Sequence, residues 1–347
     1  MEKQTITYFA AANTYRGFVS YFDRVFSSEK YDRIFVLKGG PGTGKSSLMR
    51  KISSMLSEKE FALEEILCSS DPYSLDGIIA EKNGKMFAII DGTAPHERDA
   101  VIPGAIDEII NLGDNWDERW ITSRKEEILG LVNEKKKAYK TAYKYLRLAG
   151  ECDAFASEVK LSGFDRSKAK YKAEQILSEY LVKEKGVINT ILCSSFGRHG
   201  DYKIDIQKEL YKNEITLSGD AFLFLRECKE LLISAGADIT LFPSAKNPDN
   251  LEAVLINTPG LLIQSGTNGE INADDYIVLS DIDKERFRVA GELHKELLYE
   301  AKRWFNIAAE LHFSLEDIYS GAMDFTRNDE ITDRIYQKII NISEKGQ

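Results

Sequence analysis

The run Gly39-Gly40-Pro41-Gly42-Thr43-Gly44-Lys45-Ser46-Ser47 concentrates more chemistry than any other stretch of the chain. Its glycines let consecutive backbone N–H groups turn inward, and a ring of N–H donors at the start of a helix is a cradle for phosphate oxygens. Lys45 is then placed to reach β- and γ-phosphates, and the Ser46 hydroxyl to ligate Mg²⁺. Asp91 ends the apolar run Met86-Phe-Ala-Ile-Ile90 and is expected to hold that ion directly or through water. The ligands implied are ATP or a related nucleoside triphosphate, together with Mg²⁺.

Gly92 follows Asp91, so no carboxylate stands beside the metal-holding acid to activate water. Candidates for that task are Glu97 and Asp99 just beyond the strand, and Asp71 and Asp76 further upstream. Sequence distinguishes none of them, and Glu97 is carried as the catalytic acid of the expected site. His96 and Arg98, in Asp91-Gly-Thr-Ala-Pro-His-Glu-Arg98, would suit contact with a phosphoryl acceptor.

Positioning these groups requires alternating elements. Ile34-Phe-Val-Leu37 reads as a parallel strand buried on both faces, and Leu48, Ile52, Met55 and Leu56 recur at helical spacing after the glycine turn. Further strands are expected at Leu63–Cys68, Met86–Ile90 and Ile109–Leu112. From about Asp117 to Lys185 the sequence turns charged, tyrosine-rich and helical, with a break near Gly163.

The second half repeats the first. Pro72-x-x-Leu75-x-x-Ile-Ile79 returns as Pro248-x-x-Leu251-x-x-Val-Leu255, and Phe87-Ala-Ile-Ile-Asp91-Gly-Thr93 as Leu261-Leu-Ile-Gln-Ser265-Gly-Thr267. Asp107 to Asp114 returns as Asp274 to Asp281. Leu37-Lys38-Gly39 aligns with Leu217-Ser218-Gly219 only if the stretch holding the lysine is deleted, and Ser265 replaces Asp91. The expectation is an α/β protein of two tandem three-layer domains with mostly parallel sheets, 1–186 and 187–347, each followed by long helices and the second copy degenerate.

Leu37-Lys-Gly-Gly-Pro-Gly-Thr-Gly-Lys-Ser-Ser-Leu48 resembles the Walker A loop of P-loop NTPases, nearest in wording to AAA+ and RecA-like ATPases, and Phe87 to Asp91 resembles their Walker B strand. The whole chain is similar to a family of uncharacterised bacterial tandem P-loop ATPases. The likeness rests on Asn13-Thr-Tyr-Arg-Gly-Phe-Val-Ser-Tyr-Phe-Asp23, Cys68-Ser-Ser-Asp-Pro72, Asp91-Gly-Thr-Ala-Pro-His96 and Ala322-Met-Asp-Phe325. That resemblance implies an ATPase, yet the glutamate that AAA+ proteins place after the Walker B aspartate is here Gly92. The Asp-Gly pair also resembles nucleoside monophosphate kinases. The readings are therefore a slow or regulated ATPase, a nucleotide or small-molecule kinase, or a nucleotide-dependent switch acting on a protein or small-molecule partner.

In many P-loop ATPases a neighbouring domain supplies an arginine that stabilises the transferring phosphoryl group. Arg198, in Gly197-Arg-His-Gly200, and Arg16, at nearly the matching place in the first half, are the candidates. A net charge of −10 disfavours nucleic acid and anionic membrane as partners. The lysine-rich helix around Lys135 to Arg147 reads as a core stripe of Tyr139, Tyr143 and Leu146 with a solvated basic face. The scattered cysteines Cys68, Cys152, Cys193 and Cys228, an N-terminus without a signal-type apolar core, and no run of about 20 apolar residues lead to a cytoplasmic expectation.

Overall fold

The computed structural model describes residues 5–181 and 186–344. The first half runs β1 (Ile6–Phe9), β2 (Ala11–Thr14), β3 (Gly17–Ser20), α1 (Phe22–Val25), β4 (Arg33–Lys38), α2 (Lys45–Ser57), β5 (Ala62–Leu67), β6 (Leu75–Lys82), β7 (Lys85–Asp91), β8 (Asp107–Asn111), α3 (Glu118–Ser123), α4 (Lys125–Ser162) and α5 (Arg166–Leu177). The second runs β9 (Ile188–Thr190), β10 (Ser194–Gly197), β11 (Gly200–Lys203), β12 (Asn213–Ser218), α6 (Phe222–Ala235), β13 (Ile239–Pro243), β14 (Leu251–Ile256), β15 (Leu261–Ser265), β16 (Ile271–Asn272), α7 (Asp281–Ser320) and α8 (Phe325–Glu344).

Each half builds a six-stranded sheet, in the orders β1-β5-β6-β7-β4-β8 and β9-β13-β14-β15-β12-β16. Strand for strand these are one topology. In both, a single strand, β6 or β14, runs antiparallel to its neighbours, and the other pairings are parallel. Each half also carries a two-stranded hairpin, β2-β3 or β10-β11. The expected strands coincide with β5, β7 and β8. The antiparallel β6 was not foreseen, because Leu75-Asp-Gly-Ile-Ile-Ala carries an acid and a glycine where an alternating pattern would be apolar.

The apolar run in β4 is fully buried because both its faces meet a core. Phe35 and Leu37 pack with Leu48, Met49 and Ile52 of α2, while Ile34 and Val36 pack with Phe22, Phe26 and Tyr31 on the other side. The layer facing α2 across the sheet is thus made from α1 and the hairpin, not from long helices.

The long helices do not stay with the half that precedes them. α4, 38 residues, and α7, 40 residues, lie antiparallel to each other, as the contacts Lys135–His312, Tyr139–Phe305 and Lys160–Phe287 show. At 1.5 Å rise per residue, this pair is roughly 60 Å long. Beyond it the tails cross over. Ile335 and Ile339 of α8 join the core of the first sheet beside α2, and Ala169, Ala173 and Leu177 of α5 join the core of the second sheet beside α6. The backbone bridges Trp116–Met323 and Phe164–Ile277 fasten the two crossings in matching places. Residues 1–186 therefore do not pack as a self-contained body, because the first half covers its sheet with a helix of the second.

Along α4, Ala138, Ala142, Leu146 and Ala149 are buried and Lys136, Lys137, Lys140, Lys144 and Arg147 exposed; of the stripe read from sequence Leu146 is fully buried, while Tyr139, Tyr143 and Lys135 are half-buried. Among the described residues no helix is long and apolar enough to cross a membrane, and the four cysteines are free thiols.

Candidate functional site

Parallel pairing of β4 with β7 sets Leu37 opposite Asp91, so the strand that leads into the glycine loop and the strand that ends in the acid finish side by side. The loop closes onto α2, whose first residue is Lys45 and whose N-cap, Gly44, has the left-handed φ of 82°. Lys45 Nζ donates to the carbonyls of Gly39 at 2.9 Å and Gly40 at 3.0 Å, and stands 3.7 Å from Asp91 Oδ2. Thr43 Oγ1 donates to Gly40 O at 2.8 Å, which ties the loop to itself. Asp91 accepts from Thr93 N at 2.9 Å and Thr93 Oγ1 at 2.6 Å. Burial holds its carboxyl above the usual range, against the opposing pull of Lys45 and Thr93. Ser46 Oγ accepts from Leu75 N at 2.9 Å, which joins α2 to the start of β6, while Ser47 is exposed.

The second half closes over this loop. A β-carbon on Gly42, whose φ is 72°, would stand 2.3 Å from Glu316 O, so only glycine lets the end of α7 lie against the turn. Tyr319 packs over Gly40, and Asn328 of α8 donates to Thr43 O at 2.8 Å while accepting from Asn115 Nδ2 at 2.8 Å. Trp116 packs against Tyr319, with ring centres 5.4 Å apart, and Trp120 Nε1 donates to Ile318 O at 3.3 Å. Around the loop, burial raises Glu316 while burial and the nearby Lys135 and Lys45 push His312 down to about 4. Sequence reasoning missed this whole flank. Its only signal was the segment Ala322-Met-Asp-Phe325, noted for likeness and not for contact.

Arg198, in the turn between β10 and β11, reaches the first half. Its Nη1 lies 3.5 Å from Asp71 Oδ2 and its guanidinium 4.6 Å from the centre of the Phe313 ring. His199 Nε2 is 3.8 Å from Asp71 Oδ1. Glu316 and His312 both feel Lys45 and Asp71, and Asp71 is the residue with which Arg198 pairs. Arg16 makes the mirror-image approach. It pairs with Asp249 on the second half's own loop, with both side chains more than 60% exposed, and the structure does not join it to the glycine loop. In the second half the corresponding turn is Ser218-Gly219-Asp220, and Lys160 of α4 pairs with Asp220.

Comparison with protein-family models, with curated proteins and with solved structures found no match to this chain.

The acids beyond Asp91 sort by burial. Glu97 is exposed and the structure does not bring it to the loop, which corrects its place in the expected site; the chain from His96 to Asp99 alternates, turning His96 and Arg98 inward and Glu97 and Asp99 outward. Asp99 is 95% exposed, 3.5 Å from Lys38. Arg98 is consumed by the fold, donating to Ser28 Oγ at 2.9 Å and meeting Asp107 Oδ1 at 3.4 Å. Asp76 and His96 are both buried, with His96 Nε2 3.0 Å from Asp76 Oδ2. Among the described residues no group of three His, Cys, Asp or Glu could hold a metal by itself. One hydroxyl and one carboxylate, Ser46 and Asp91, suit Mg²⁺, which prefers to keep waters and phosphate oxygens as most of its ligands.

Proposed function

We propose that the chain binds Mg-ATP on the loop from Gly39 to Ser46 and hydrolyses it, as a P-loop-like NTPase of the cytoplasm whose second half is a degenerate copy. One observation carries this reading most. Lys45 sits between the loop carbonyls and Asp91, at the paired ends of β4 and β7 and at the N-terminus of α2. The backbone N–H groups and helix dipole favour phosphate there, and Lys45 adds a cation. Mg²⁺, held by Ser46 and Asp91, would neutralise charge on the β- and γ-phosphates. The retained topology of the second sheet, with Ser218-Gly219-Asp220 in place of a lysine loop, supports a copy that kept its shape and lost its phosphate chemistry. Arg198 fits the role of an arginine supplied from that copy. A kinase reading loses support here, since Arg98 is locked to Asp107 and Ser28.

Lys45→Ala tests the proposal. Removal of a charged donor worth about 1.5–3 kcal/mol should weaken Mg-ATP binding about 10- to 100-fold in an equilibrium titration and abolish phosphate release. Wild-type protein that binds no Mg-ATP, or a variant with unchanged binding and release, would sink the reading.

A further inference from the structure

An aspartate that holds a metal does not by itself activate the nucleophile, and the position where an adjacent acid is expected is closed. A β-carbon on Gly92 would stand 2.4 Å from Val36 Cγ1 and 3.3 Å from Arg98 O, so no side chain fits after Asp91. Glu97 and Asp99 face solvent. The group must come from elsewhere in the fold.

The register of β6 supplies one. Ile66 pairs with Gly77 and Leu67 with Leu75, which leaves Asp76 as the extra residue of a β-bulge. Bulges re-aim a side chain and gather beside active sites. Gly77 pairs in turn with Ile90, so the bulge lies against the end of β7, next to Asp91, and its neighbour Leu75 is bonded to Ser46. Asp76 lies close enough to both groups to add to the effect of burial, which raises the Asp91 carboxyl and the Cys68 thiol.

Asp76 is also left with unused capacity. It is 6% exposed, and Oδ2 has no aligned hydrogen-bond donor, although His96 Nε2 stands 3.0 Å away. His96 is 7% exposed and its Nδ1 is likewise unpartnered. The ring is clamped instead by stacking, 4.0 Å from Phe22 at 15°, with Phe18 at 5.1 Å. Unsatisfied buried polar atoms are costly, so each calls for a reason, and a catalytic role is one such reason. The matching bulge in β14 shows the contrast. Its extra residue, Glu252, is satisfied by Ser194 Oγ at 2.8 Å.

We propose that Asp76 is the catalytic base for attack on the γ-phosphoryl group, with His96 as the residue that positions it; this rests on the Mg-ATP reading above. Asp76 takes a proton from water as the water oxygen bonds to the γ-phosphorus. The bond from that phosphorus to the β,γ-bridging oxygen breaks, and its electron pair leaves with ADP. The products are ADP, inorganic phosphate and one proton, released from Asp76 to solvent.

The test uses the full chain and its isosteric variant Asp76→Asn. Mg-ATP affinity should be unchanged, phosphate release should fall on the order of 10²- to 10⁴-fold, and the bound nucleotide after incubation should be ATP where wild type holds ADP. His96→Gln should lower kcat by less than His96→Ala, with KM unchanged in both. With only four histidines in the chain, the His96 ring ¹⁵N signal is assignable, and it should move in Asp76→Asn and when Mg-ATP is added. Wild-type release from an Asp76→Asn protein that binds Mg-ATP overturns the inference and leaves the nucleotide site standing. So does a wild type that binds Mg-ATP without releasing phosphate, or a His96 signal indifferent to both changes. Absence of Mg-ATP binding in the wild type overturns both readings together. Should Asp76→Asn unfold, the His96 pair and the response of the ring signal to Mg-ATP decide.

Discussion

Arg198 and Arg16 occupy matching hairpin turns, yet they face unlike partners. Arg198 of the second half lies against Asp71 of the first and Phe313 of α7, whereas Arg16 of the first half pairs with the exposed Asp249 of the second. Arg198→Ala should therefore lower single-turnover phosphate release by about 10³-fold at unchanged Mg-ATP affinity, the signature of a contact made mainly in the transition state. Arg16→Ala should turn over like wild type, and an equal loss in both variants would remove the asymmetry. At this scale the glycine turn between a strand and a helix was legible, because glycines at that spacing have a backbone task, whereas the packing of Glu316 and Tyr319 on that turn was not. Glu97 was misplaced for a local reason: whether a loop residue turns in or out follows from the extended run His96 to Asp99 docking on Phe22, which spacing alone does not reveal. Asp76 stood among the candidates, but a bulge is a property of register between two strands.

Among the elements, the crossed helices carry the clearest energetic consequence. Ile335 and Ile339 of α8 are fully buried in the core formed by α2 and the first sheet. Ile335→Ala deletes buried methyl groups and leaves a cavity, so it should destabilise by about 2–5 kcal/mol in denaturant unfolding. Because α8 also donates Asn328 to the loop, the same variant should loosen Mg-ATP binding from more than 280 residues away in sequence. Unchanged unfolding would place α8 outside the core. The helical tails were readable from composition and period, and so was the repeat of strand blocks. Which sheet receives which tail was not, since an apolar face at i, i+4 and i+7 states that a helix is covered without naming its cover.

As a whole molecule, the chain is two copies of one topology joined by reciprocal exchange about a shared antiparallel helix pair. Separately produced residues 1–186 and 187–347 should each lack the covering helix of their own sheet and lose the native cooperative transition in circular dichroism. Mixing them should restore one transition and a 1:1 complex by size exclusion. A first half that melts cooperatively as a lone monomer would contradict the exchange. In this arrangement the half without a lysine loop supplies α8, the end of α7 and Arg198 to the half that has one.

The contacts of Trp116 with Tyr319 and of Trp120 with Ile318 have an optical corollary. Two of the three tryptophans in the chain stand on the seam where α7 meets the glycine loop, one beside a tyrosine and the other under the guanidinium of Arg124, 4.5 Å from the ring. Indole emission responds to neighbouring charge and to water, so the colour and intensity of the protein's own fluorescence report on the surroundings of that seam without any label attached.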